Sequence, residues 1–192
     1  MSIPPADSLD RRLFPLAAAP AEAKPSEVQC EVVRLFDELR TPSLRYVLSL
    51  GLSVHDGEEV VQEVFLALLR HLRLGRSRDN LRGWVFRVAH NLALKRRQAI
   101  HRSPEATEAD WESLQRHPDL SSNPEHELSQ KQRYNLLLAV FRSLPEEDRC
   151  CLRLRAEGLR YREIAAVLGK SLGSVSNSLT RSLERMSRAN EW

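Results

Sequence analysis

The sequence predicts an all-α protein: two small helical domains joined by a flexible linker, the C-terminal one containing a helix-turn-helix. Three observations carry this expectation. Apolar residues recur at helical spacing through the chain, and no segment alternates as a half-buried strand would. Between His101 and Glu125 the periodicity dissolves into HRSPEATEADWESLQRHPDLSSNPE, where prolines, acids and small polar residues mark a linker. Near the end, LGKSLGSVSNSL (Leu168 to Leu179) has glycine after an apolar residue, a short polar turn, then apolar residues at helical spacing. The expected division is a disordered Pro/Ala-rich tail over 1–25, a helical domain over 26–101, a flexible acidic linker over 102–127 and a helix-turn-helix domain over 128–192.

Each element has its own signal. Glu27 to Leu50 reads as one helix or two, since Pro42 interrupts it, with Val33, Leu35, Phe36, Leu44, Val47 and Leu48 available for a core. In the next helix Asp56 can cap and Glu59 can reach back three residues later, ahead of a stripe of Val61, Val64, Phe65, Leu68 and Leu72. Asp79 or Asn80 can cap a third helix whose expected core stripe is Leu81, Trp84, Val85, Val88 and Leu92. After the linker comes a helix through KQRYNLLLAVFRSL. Pro145 with Glu146, Glu147 and Asp148 suits a helix start, and that helix should end at Gly158. Tyr161 to Leu168 is a short helix stopped by Gly169, and Ser171 can cap the last one, which runs to about Arg188. Ile164, Ala165, Leu168, Leu172, Val175, Leu179 and Met186 are expected to face inward across the hairpin.

The net charge of +3 conceals strong segregation. Arg70 to Arg102 holds ten Lys/Arg against one acid, Ser103 to Leu128 seven acids against Arg116, and Arg149 to Arg188 nine bases against three acids. Two basic blocks flanking an acidic one suit two surfaces that meet a polyanion, although solvated helix faces would give the same charges. Cys30, Cys150 and Cys151 provide neither a disulfide framework nor zinc spacing, a reducing-compartment pattern. No apolar run is long enough for membrane insertion. RRLFPLAAAPAEA from Arg11 has an apolar run broken by prolines, so a tail is expected there rather than an export signal. There is no phosphate-binding glycine loop, HExxH, GxSxG or clustered Cys/His set, so the sequence points to no enzyme, no cofactor and no metal site.

Arg87, Asn91 and Lys95 repeat every four residues and form one stripe, with Arg82, Phe86 and His90 beside it. Basic side chains interleaved with an aromatic and an asparagine suit opened nucleic acid, where phosphates are neutralised and bases stack or bond. On the last helix the outward face comprises Gly173, Ser174, Asn177, Ser178, Arg181 and Arg185. Asn and Arg can bond two atoms of a base edge, and Lys170 lies where it could meet phosphate. The same pattern is also compatible with a purely structural hairpin. Glu59, Gln62, Glu63 and Leu66 lie off the core stripe of their helix and suit docking onto a basic partner.

DGEEVVQEVFLALLRHL followed by LRGWVFRVAHNLALKRR resembles the second conserved region of bacterial sigma factors of the extracytoplasmic-function type, in the sigma-70 family. RSLPEEDRCCLRLRAEGLRYREIAAVLGKSLGSVSNSLTRSLERM resembles their fourth. The resemblance implies a cytoplasmic, non-enzymatic sigma factor that binds core RNA polymerase through its β′ clamp helices and β subunit and directs it to promoter DNA. It would place Glu59, Gln62, Glu63 and Leu66 on polymerase. Arg82, Phe86, Arg87, Asn91, Lys95 and Arg96 would lie on the minus-ten element. Lys170, Ser171, Ser174, Asn177, Ser178 and Arg181 would lie on the minus-thirty-five element. It further implies a possible anti-sigma partner. The family commonly carries basic residues where this chain has Ser176 and Ser178, and often an aromatic where it has Gly75. The alternative is a stand-alone helix-turn-helix regulator acting without polymerase.

Overall fold

The computed structural model describes residues 26–102 and 124–190, with side chains described over 26–100 and 132–189. The expected tail, and all but the ends of the expected linker, lie outside the described residues. Among these residues the chain forms seven helices: α1 (Glu27–Leu48), α2 (Val54–Arg73), α3 (Leu81–Arg102), α4 (Pro124–Ser143), α5 (Glu146–Ala156), α6 (Tyr161–Leu168) and α7 (Leu172–Asn190).

Helix α1 starts in a reciprocal cap, with Ser26 Oγ accepting from the Gln29 amide at 3.3 Å and Gln29 Oε1 accepting from the Ser26 amide at 2.7 Å. It runs unbroken through Pro42, so one helix forms rather than two. Beside the proline, the Ser43 hydroxyl folds back onto the carbonyls of Leu39 (2.6 Å) and Arg40 (3.0 Å). Helix α2 begins a turn earlier than expected. Ser53, not Asp56, is its cap: Ser53 Oγ accepts from the Asp56 amide at 3.1 Å and donates to the Asp56 carboxylate at 2.6 Å. Asp56 therefore sits inside the first turn, and Glu59 is left to engage α3. The stripe Val61, Val64, Phe65, Leu68 and Leu72 is buried as the periodicity predicts, whereas Val33 on α1 is 60% exposed and stays out of the core.

Helix α3 departs most from expectation. Leu81 and Val85 are buried, but Trp84, Val88 and Leu92 are only half-buried, and the deeply buried positions include Phe86, Ala89 and Ala93. The reason is that α3 has two packed sides: α1 and α2 cover one, and α6 packs on the helix as well. A helix buried on two sides shows no clean single stripe.

In the C-terminal part, α4, α5 and α6 all pack on α7. Gly158 at φ +85° lies just beyond α5, and Gly169 at φ +65° ends α6 in the left-handed region that a β-carbon disfavours. Ser171 caps α7, its Oγ accepting from the Ser174 amide at 3.1 Å. Ile164, Val175 and Leu179 are buried, but Leu172 is 46% exposed and Met186 half-buried, so the inward face is narrower than the wheel suggested. The core residues form one continuous cluster from Leu35 to Leu179, which includes the Cys150 and Cys151 side chains. Tyr46, Phe86, Leu154 and Ile164 lie at its centre, each stabilising the fold by roughly 2–3 kcal/mol through apolar burial. Burial also pushes both thiols up from their ordinary range.

Candidate nucleic-acid interface

Arg87, Asn91 and Lys95 stand exposed one turn apart along the outer edge of α3, which neither packed side covers. The adjoining stripe turns toward the C-terminal helices. Arg82 donates through Nη2 to the Glu157 carbonyl oxygen at 2.5 Å and through Nη1 to Glu38 at 3.3 Å. Phe86, read from the sequence as a nucleic-acid contact, has no exposed surface and meets Tyr46 edge-on at 5.7 Å between ring centroids. In this arrangement it is a core residue, packed against Tyr46 of α1. His90 Nδ1 lies 2.8 Å from the Tyr46 hydroxyl. Burial, reinforced by the Arg97 charge, holds this imidazole below its usual range, and burial raises the Tyr46 phenol well above its own.

Arg96, also read as a nucleic-acid contact, reaches instead across to α2. Its Nε donates to Asp56 at 2.8 Å and its Nη2 to Glu59 at 2.6 Å. Thus a residue expected on DNA and one expected on polymerase meet each other in an ion pair. The Ser53 hydroxyl, followed by Arg96, holds the Asp56 carboxyl below the usual carboxylate range. Gln62, Glu63 and Leu66 remain exposed on the same face of α2, Leu66 at 54%.

On α7, Ser174 and Asn177 are exposed, as the wheel predicts, and Arg185 joins them one turn beyond Arg181. Lys170, just before the helix, pairs with Glu147 at 2.8 Å. Ser178 is a correction: it is 7% exposed, and its hydroxyl donates to the Asp148 carboxylate at 2.7 Å rather than facing outward. Arg181 Nη2 reaches both oxygens of that carboxylate, at 3.0 and 3.2 Å, while most of its side chain stays in solvent. Asp148 had looked like an ordinary helix-start acid. The signal that could have singled it out is its place within a helix that must bury one face.

Further ion pairs join the N-terminal and C-terminal helices. Arg45 chelates Glu157 through two bonds, at 2.6 and 2.9 Å, and Arg97 donates to Glu146 at 2.7 Å. The bond from Arg97 holds the Glu146 carboxyl below its ordinary range. Neither pair was legible in the sequence, since the partners lie 112 and 49 residues apart. Among the described residues, no three His, Cys, Asp or Glu side chains gather as a metal site would require. No helix among them is long and apolar enough to cross a membrane.

Comparison with known proteins places these surfaces in a family. Residues 35–102 match the family model for sigma-70 region 2, and residues 134–186 match that for sigma-70 region 4. The chain is 31% identical over 159 residues to the ECF RNA polymerase sigma-E factor of Escherichia coli, covering 80% of this chain and 81% of that protein. It is 33% identical over 136 residues to the ECF RNA polymerase sigma factor SigE of Mycolicibacterium smegmatis, covering 69% of this chain and 51% of that one. The fold is similar to that of CnrH, solved in complex with the cytosolic domain of CnrY (TM-score 0.52, 21% identity, 83% of this chain and 87% of that one). It is also similar to the sigma factor RpoE of Bartonella quintana, solved with the anti-sigma factor NepR (TM-score 0.55, 17% identity, 82% and 97%). The outer edge of α3 thus falls within region 2 and the exposed face of α7 within region 4, and the chain belongs to the sigma-70 family, among its extracytoplasmic-function members.

Proposed function

We propose that this sigma factor acts in the cytoplasm as a dissociable, non-catalytic subunit that recruits core RNA polymerase to promoters through two separate DNA contacts. The domain over 26–101 reads the minus-ten element and the domain over 128–192 the minus-thirty-five element. The observation that carries this reading is the exposed row Arg87, Asn91 and Lys95 on α3, combined with exposed Ser174 and Asn177 on the Ser171-capped helix α7. The first row offers cations and an amide suited to opened strands. The second offers short polar groups suited to a major groove. Gln62, Glu63 and Leu66, with Glu59 beside them, supply an exposed acidic and apolar face for the polymerase clamp helices, and the β subunit is a further polymerase partner. An anti-sigma protein that covers these faces would keep the factor inactive.

Arg82, Phe86 and Arg96 can join the DNA contact only after exchanging their present intramolecular partners, and Arg181 and Ser178 only after loosening from Asp148. The described arrangement therefore suits the factor before it meets polymerase. The test is transcription in vitro with purified protein, core polymerase and a randomised promoter library. Promoter-specific starts that require both proteins are expected. DNA binding with symmetric half-sites in the absence of polymerase would overturn this reading.

A further inference from the structure

Between the end of α1, α3, α4 and α5 lies a cavity of about 500 Å³ that no contact proposed above uses. Among the described residues, five arginines line it (Arg45, Arg97, Arg142, Arg149 and Arg153) against a single lining carboxylate, Glu146. Arg97 is paired with Glu146, and Arg45 with Glu157. The α5 pair is not matched in this way. Arg149 donates Nη1 to the Arg142 carbonyl oxygen at 3.1 Å, but among the described residues its buried Nε has no hydrogen-bond partner. Arg153 is half-buried, makes no ion pair among the described residues, and rests its guanidinium over the Phe141 ring at 5.3 Å. Burial, with Arg149 adding to it, draws that guanidinium below its ordinary range. The rest of the wall, Ser49 apart, is apolar and includes Leu48, Leu50, Leu138 and Phe141.

Guanidinium groups present planar forks that match phosphate oxygens, and a concave low-dielectric wall concentrates their field. A cavity of this size is ample for a drug-sized molecule with an apolar body and a charged end. We propose that this cavity is a binding site for a small organic diphosphate, of the nucleoside diphosphate class, with its phosphates on Arg149 and Arg153 and its body on the Leu/Phe wall. Because the wall draws on both the N-terminal and C-terminal helices, the bound ligand clamps α5 to the end of α1 and to α3.

The test is calorimetric titration of the full chain at physiological salt with ADP, GDP, inorganic pyrophosphate and orthophosphate. Saturable one-to-one binding of a nucleoside diphosphate is expected, weaker binding of pyrophosphate, and none of orthophosphate. Arg149→Gln and Arg153→Met should each weaken the nucleotide by about tenfold or more. Arg188→Ala, at an exposed position on α7, should not alter it. The nucleotide should also raise the melting temperature, an effect that Arg149→Gln removes. Arg149→Gln keeps the test alive should Arg153→Met fail to fold. Absence of saturable binding overturns the site, as does equal weakening by Arg188→Ala, which would mean diffuse attraction to a basic surface. Pyrophosphate binding as tightly as either nucleotide overturns the assignment of the apolar wall.

Discussion

The guanidinium of Arg181 rests 3.0 Å from the carboxylate of Asp148, an acid 4% exposed at the start of α5. The same carboxylate takes the Ser178 hydroxyl, so one buried acid fixes two residues of the helix expected to read DNA. Truncating it would strand the Ser178 hydroxyl without its acceptor. Asp148→Ala should lower unfolding stability by about 1–3 kcal/mol in urea titrations, and Asp148→Asn, which keeps one acceptor, by less.

Phe86 and Arg87 are neighbours in sequence with opposite environments. Phe86→Ala opens a void at a position with no exposed surface and should cost about 3–5 kcal/mol. Arg87→Ala removes an exposed side chain and should change stability by less than about 0.5 kcal/mol. Thermal melts of the two variants decide whether the aromatic belongs to the core.

Along the exposed edge, Asn91→Ala and Lys95→Ala should leave the melting temperature unchanged and spare polymerase association. Promoter opening, followed by permanganate reactivity of unpaired thymines, should fall more than promoter binding. Equal loss of both would assign these residues to duplex contact instead.

His90 carries a pH signature. Its folded-state pKa is depressed, chiefly by burial and then by Arg97, so the unfolded chain takes up this proton first as pH falls. Its contribution is therefore full above the unfolded value of about 6.5 and is lost as pH drops from there through the folded pKa. His90→Gln should flatten the stability profile in that window, measured by denaturant titration at stepped pH.

The turn between α6 and α7 rests on two local devices. Gly169→Ala imposes a β-carbon at φ +65° and should cost about 1 kcal/mol; Ser171→Ala removes the α7 cap for a similar loss. The sites share one turn, so the double variant is expected to deviate from additivity.

Local signals were legible in the sequence and distant ones were not. The Ser171 cap, the Gly169 stop and the α2 stripe depend on residues within a few positions of each other, and the structure has them where the spacing predicts. The α2 cap was misread by three residues because Ser53 and Asp56 are both competent caps, and only the start of the helix distinguishes them. Phe86 was misplaced for a different reason. A helical wheel assumes one buried face, and nothing near α3 in sequence announces that Tyr46 of α1, 40 residues upstream, will pack against this ring. Ser178 was misread likewise, since its acceptor lies 30 residues upstream.

Helix α3 leaves little room for divergence. With Val85, Phe86, Ala89 and Ala93 buried, substitutions at those positions disturb the core before they alter any surface. Arg87, Asn91 and Lys95 are exempt, being exposed and one turn apart. A lineage could rewrite these positions at little structural cost, so descendants with new preferences would be expected to differ first along this narrow line.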